Sequence, residues 1–219
     1  RSRKVIRSSA NTSSGALQLG SLIVIAYRLD RPSRKIRKTV QRALQRAPCF
    51  KLCPSVYAFP QLRRTEVNKL QTVIRRRNTK QGIITHREFV DILSRLGARI
   101  LRLPRLIIVD QAMEKNLVER TVSARSAQCR KLTQACKNIV SSTHLWRNEY
   151  FSLKVLKLKL SEIKYRYRAA RAVLSFLRRD MNIDLSDELV RASRAIGICH
   201  ETLRRVEETR ASATAELAH

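Results

Sequence analysis

Residues 153–179 read LKVLKLKLSEIKYRYRAARAVLSFLRR, and how they fold decides the architecture of half the chain. The LKLKL at 156–160 alternates like a half-buried strand, while basic residues fall at nearly every turn. Leu153, Leu156, Leu160, Ile163, Tyr167, Ala170, Leu174 and Leu177 recur at alternating steps of three and four. That period is helical and heptad-like, and it outlasts the brief two-residue alternation. The stretch is a helix. Its neighbours share the rhythm. Val118, Val122, Cys129, Leu132, Cys136 and Ile139 form one seam, interrupted by Arg125 at a core-type position. Leu185, Leu189, Ala192, Ile196, Cys199, Leu203 and Val206 form another, opened by the acidic DLSDE that suits a helix N-terminus. Three apolar seams predict an antiparallel three-helix coiled coil, or a bundle packed on the preceding domain.

Upstream the grammar changes. All five prolines and four of the five glycines lie in the first 104 residues, which places a boundary near residue 111. SLIVIAY (21–27) is a short apolar run rich in β-branched residues, read as a buried strand. PSRKIRKTVQRALQRA (32–47) puts Ile36, Val40, Leu44 and Ala47 on one face, a helix opened by Pro32 and closed before Pro48. CFKLC (49–53) and SVYAFP (55–60) read as strands meeting at Pro54, and TEVNKLQTVIRRR (65–77) as a helix with a basic end. THREFVDILSRLG (85–97) is a helix with Thr85 and Glu88 as a capping box, stopped at Gly97. ARILRLPRLIIVD (98–110) returns as an edge strand because of Pro104. The fold class predicted is α+β: a ferredoxin-like N-terminal domain, its helices on one face of a mainly antiparallel sheet, then an α-helical, three-helix, coiled-coil-like region. The domains are a basic tail (1–20), the α+β domain (21–110), the helical domain (111–209) and a second tail (210–219).

Charge is the unusual total: 46 Lys and Arg against 17 Asp and Glu, a net +29. Such an excess repels itself unless something anionic neutralises it. Arginine dominates over lysine, and its planar fork suits phosphate. No apolar run approaches the ~20 residues that span a bilayer, so no membrane partner is expected. Nucleic acid is the leading partner, RNA preferred over DNA, with other proteins of a ribonucleoprotein particle beside it.

Cys49, Cys53, Cys129, Cys136 and Cys199 are odd in number and loosely spaced, as reduced thiols of an intracellular compartment would be. Their expected role is apolar packing, with Cys129 and Cys136 in the core. The chain opens on Arg1 and not on Met, as expected of a processed, trimmed or partial sequence. Its first 29 residues hold no Asp or Glu, a composition shared by organellar transit segments and RNA-threading tails. Cytoplasm and mitochondrion are not separated by it.

IVIAYRLDRPSRKIRKTVQRALQR (23–46) followed by KLCPSVYAFP (51–60) resembles the N-terminal ferredoxin-like domain of chromate-resistance regulators, and more distantly the small CRISPR adaptation protein. Both families have a strand ending near Tyr, an Arg-containing helix, and a strand pair with a Ser-Val-aromatic signature, here Ser55, Val56 and Tyr57. FLRRDMNIDLSDELVRASRAIGICHETL (176–203) resembles the regulators' helical continuation through Arg179 and Asp180. The regulator resemblance implies a dimeric DNA-binding transcriptional regulator. The CRISPR resemblance implies a metal-dependent nuclease, but there an Asp directly follows the strand-end aromatic. Here Arg28 follows Tyr27, and Asp30 comes two residues later. An Arg at that position opposes a hard cation that needs carboxylate oxygen.

No catalytic motif emerges: the glycines are too scattered for a phosphate loop. His86 lies near Glu88 and Asp91, and His200 near Glu201, but adjacent helical positions face different ways. Surface or packing roles are expected for both. Asp180, Asp184, Asp187 and Glu188 are explained by helix termination and capping. The chain is read as a non-enzyme with no cofactor and no metal.

The candidate nucleic-acid surface has four parts. The tail contributes Arg1, Arg3, Lys4 and Arg7. The first helix contributes Arg34, Arg37, Lys38 and Arg42, and the next helix and its flanks Arg63, Arg64, Arg75, Arg76, Arg77 and Lys80. The long helix contributes Lys154, Lys157, Lys164, Arg166, Arg168, Arg171, Arg178 and Arg179, with few acidic residues nearby to pair them. Trp146, Tyr150, Phe151 and Tyr165 would stack on unpaired bases where exposed, or pack between domains where not. Charge spread over both domains and the tail, without a groove-reading motif, favours structured RNA and a structural subunit of a ribosome or similar particle.

Overall fold

The structure, a computed structural model, describes residues 21–61, 83–145 and 150–216, with side chains over 21–61, 83–143, 153–209 and 211–212. The helix read at 65–77, the tail 1–20, Trp146 and the side chains of Tyr150 and Phe151 lie outside the described residues. The described elements are β1 (Leu22–Arg28), α1 (Arg34–Gln45), β2 (Phe50–Cys53), β3 (Val56–Pro60), α2 (His86–Arg95), β4 (Arg99–Leu106), α3 (Gln111–Leu145), α4 (Tyr150–Met181) and α5 (Ser186–Glu216). The protein is α+β, an antiparallel sheet followed by long helices.

Local chemistry sets the boundaries. The Ser33 hydroxyl accepts from the Ile36 N–H and caps α1. The Thr85 N–H donates to Glu88 Oε2 at 2.8 Å while the Glu88 N–H donates to Thr85 Oγ1 at 3.3 Å, the capping box that opens α2. Gly97, at φ 72°, ends the turn after α2 in a conformation a Cβ would disfavour. Asp184 Oδ1 accepts from the Ser186 N–H at 2.9 Å, and Asp187 and Glu188 fill the first turn of α5. Beyond residue 209, where the sequence reading places a tail, α5 continues to Glu216.

The sheet order is β2-β3-β1-β4, with every neighbouring pair antiparallel. β1 is central and buries both faces. Ile23 and Ile25 pack with Val40 and Ala43 of α1, Phe59, and Phe89 and Leu93 of α2. Leu22 and Val24 pack with Phe50, Ala58, and Val173, Leu174 and Leu177 of α4. The helices of the α+β region, α1 and α2, lie on one face as expected, and the long helices pack on the other, the second of the two arrangements expected for them. Covered on both faces, β1 reads as an unbroken apolar run.

All eight seam residues of α4 are buried or half-buried, and Ala169, Val173, Phe176 and Met181 join them. The apolar face widens there because the C-terminal half of α4 lies between the sheet and the other helices. α3 and α5 run in the same direction, with α4 opposed. The Ser126 hydroxyl donates to Glu188 at 2.7 Å, and ten residues further along α3 Cys136 meets Cys199 of α5. Lys157 of α4 pairs with Glu207, near the far end of α5. Cys129, Cys136, Cys199 and Cys49 are buried thiols, but Cys53 is exposed, so apolar packing is not its role.

The two edges of the sheet differ. α3 flanks β2, where Arg120 Nη1 donates to the Leu52 carbonyl at 3.5 Å. β4 is the other edge, with Leu101 and Leu103 exposed beside Val24 and Ala26. Among the described residues no helix is long and apolar enough to cross a membrane.

Candidate nucleic-acid interface

On α1, Arg34, Arg37, Lys38 and Arg42 are all exposed, and Arg37 Nε donates to the Pro32 carbonyl at 3.0 Å. Among the described residues no carboxylate lies within 4.0 Å of the four. Arg1, Arg3, Lys4, Arg7, Arg63, Arg64, Arg75, Arg76, Arg77 and Lys80 lie outside the described residues.

The eight cations of α4 do not form one surface. At 100° per residue, Lys157, Lys164, Arg168, Arg171, Arg178 and Arg179 share a flank. Contacts place that flank toward α5: Lys157 pairs with Glu207, and Lys164 acts electrostatically on Cys199. Arg166 points the other way, into the space between α4, α3 and α1, and pairs with Glu162. Internal pairing is also commoner than the composition suggests. Arg178 lies 3.5 Å from Asp184, and Arg179 lies 2.8 Å from Asp180. Lys154, Arg168 and Arg171 are exposed, with no carboxylate of the described residues in reach. An exposed pair is stabilised by little and exchanges readily for phosphate.

Arg125 explains itself once α3 meets the end of α1. It is 7% exposed, and its fork donates to the Gln45 carbonyl at 3.0 Å and the Ala47 carbonyl at 2.5 Å. A third bond goes to Gln128 Oε1 at 3.1 Å. An arginine of the helical region thus caps the C-terminal carbonyls of α1, where a cation also meets the negative end of the helix dipole. Beside it, burial pushes the Cys49 thiol up to about 11, against the opposing pull of Arg125.

Around this tie lie two adjoining cavities. The first, about 490 Å³, is enclosed by α1, the β2 edge, α3 and α4, and Lys51, Arg120, Lys131 and Arg166 converge on it. Among the described residues no carboxylate lines it. The second, about 580 Å³, continues past Gln45, Gln128 and Arg166 to Arg42, Arg46 and Tyr165. The structure therefore brings Arg42 and Arg166 together from the sequence-derived set. It adds Lys51, Arg120 and Lys131, which sequence reasoning missed. Their one signal was Arg125 breaking an apolar seam.

Tyr165 is half-buried in the wall of the second cavity. His86 is buried, its Nε2 3.4 Å from Arg102, while His200 is exposed. Burial lowers the pKa of His86, and Arg102 and Arg87 add to the effect. The Asp30 carboxylate lies between two guanidinium groups, 3.3 Å from Arg28 and 3.8 Å from Arg99. Among the described residues no three His, Cys, Asp or Glu side chains converge as metal ligands would. The chain matches no family model, no curated protein and no solved structure.

Proposed function

We propose that the protein is a non-enzymatic RNA-binding protein, a structural subunit of a ribosome or another ribonucleoprotein particle. The observation that carries this is the dispersal of exposed cations over separate faces: α1, the cleft between the domains, and the α5-side flank of α4. Cations on several faces suit the phosphates of a folded RNA, which arrive from several directions, and the sequence carries no groove-reading motif such as a helix-turn-helix, zinc finger or homeodomain. The strand order, with α1 and α2 on one face, supports a ferredoxin-like arrangement for the N-terminal domain. The three seams support coiled-coil-like packing of α3 to α5.

The test is a salt titration of binding to a folded RNA and to a DNA duplex of similar length. RNA should hold the tighter complex at ~0.2 M salt and above, where simple charge attraction has faded. Duplex DNA binding as well or better would sink the proposal. The same strand order also favours a second reading, a DNA-binding regulator of the chromate-resistance type, which requires a defined dimer and one preferred duplex. A metal-dependent nuclease is disfavoured because both guanidinium groups at Asp30 compete with a divalent ion.

A further inference from the structure

The cleft of about 490 Å³ combines two chemistries that a simple phosphate-binding surface does not need together. Lys51, Arg120, Lys131 and Arg166 bring positive charge to it from β2, α3 and α4. Between them lie apolar walls, from Leu44 of α1 and Ala124 and Leu132 of α3. Gln41, Gln45 and Gln128 add side-chain amides, each both donor and acceptor. Arg125 forms the back of the cleft, but its fork is held by the Gln45 and Ala47 carbonyls, so it contributes field and rigidity. Cations for phosphate, an apolar slot for a ring, and amides for polar edges are the requirements of one nucleotide. The volume falls in the range of small-molecule sites, about 300–1,000 Å³.

We propose that this cleft receives a single unpaired nucleotide. Its phosphate sits on Lys51, Lys131, Arg120 and Arg166, and its base lies between Leu44 and Leu132 within reach of the glutamine amides. This rests on the RNA-binding reading, which it deepens by naming what the RNA must present. A base held in a helix would have to leave its stack to enter, whereas a bulged one has already left it. Arg166 is paired with Glu162 meanwhile, so the site is poised for an anion to replace that carboxylate.

The experiment compares an RNA hairpin with a one-nucleotide bulge, the same hairpin fully paired, and a DNA duplex, at ~0.2 M salt. The bulged hairpin should bind about tenfold more tightly than the paired one, the scale of one stacked base. Lys51→Ala with Lys131→Ala, both at exposed positions, should erase that preference, and free nucleoside monophosphate should compete for the bulge advantage alone. Equal binding of the two hairpins, or a bulge preference that survives the double substitution, overturns the proposal. If paired RNA and DNA bind equally while the bulge still wins and the double variant loses it, the cleft stands and the RNA-over-DNA reading fails. Competition by the free nucleotide with no gain from a bulge assigns the cleft to a free ligand and overturns its role in RNA binding.

Discussion

Arg125 shows how one residue can carry a junction. In the sequence it is a flaw in an apolar seam; in the fold it closes the end of α1 from a helix 80 residues further along the chain. Arg125→Ala should destabilise the protein by about 2–4 kcal/mol, since two carbonyls and a helix end lose a charged donor. Arg125→Lys should recover part of this, having charge without the fork. Denaturant titration decides: a loss below ~1 kcal/mol would mean that water replaces the guanidinium without penalty. His86 makes a second prediction. Burial first, then Arg102 and Arg87, depress its pKa in the folded state, and the N-terminus of α2 is no better a neighbour for a cation. The unfolded chain therefore takes up the proton first as pH falls. Stability from this group is complete above the ordinary histidine value of ~6.5 and is lost as pH drops toward the folded value. The thermal midpoint should fall between about pH 7.5 and 5.5, and His86→Gln should flatten that decline. An unchanged slope in the variant would assign the pH dependence to other groups.

At the scale of elements, α4 is a helix with two charged flanks and an apolar face that changes width along its length. The cations toward α5 and the one toward α1 are not equivalent. Arg168→Ala with Arg171→Ala should lower the salt slope of RNA binding by up to about 2, and adding Arg166→Ala should bring the total to at most about 3. Because Glu162 already engages Arg166, its own increment should be the smallest of the three. A slope unmoved by the Arg168 and Arg171 changes would show that this flank does not face phosphate. Both ends of α2 were legible in Thr85, Glu88 and Gly97, and the start of α5 in the DLSDE run, because capping is decided within a few residues of chain. The helix α1 was read as opening at Pro32, one residue before the Ser33 that caps it. The widening of the α4 face toward Val173 and Phe176 was not legible. It arises from a sheet over a hundred residues earlier in the chain.

Across the whole molecule, one apolar cluster joins Leu22, Val24 and Ala58 of the sheet to Val173, Leu174 and Leu177 of α4. The two domains of the sequence therefore share a core, and they should unfold together. Leu177→Ala, at a fully buried position, should cost about 2–5 kcal/mol and lower the protection of sheet and helix amides alike. Hydrogen exchange reads this directly: helices that open while the sheet stays protected would show two independent units.

By itself, the sequence determined the type of nearly every described element, the edge position of β4, the seams of the three long helices and the cationic character of the surface. Each of these depends on short-range periodicity, on capping within a turn, or on composition. The tertiary structure decided what lies against what. It covered the second face of the sheet, turned Arg125 from a seam defect into a cap, and divided the arginines of α4 between two flanks. It also gathered Lys51 of β2 with Arg120 and Lys131 of α3, two elements far apart in the chain, around one cleft. Convergence of this kind depends on how β2 and α3 pack, and packing is set by side chains that periodicity alone does not bring together.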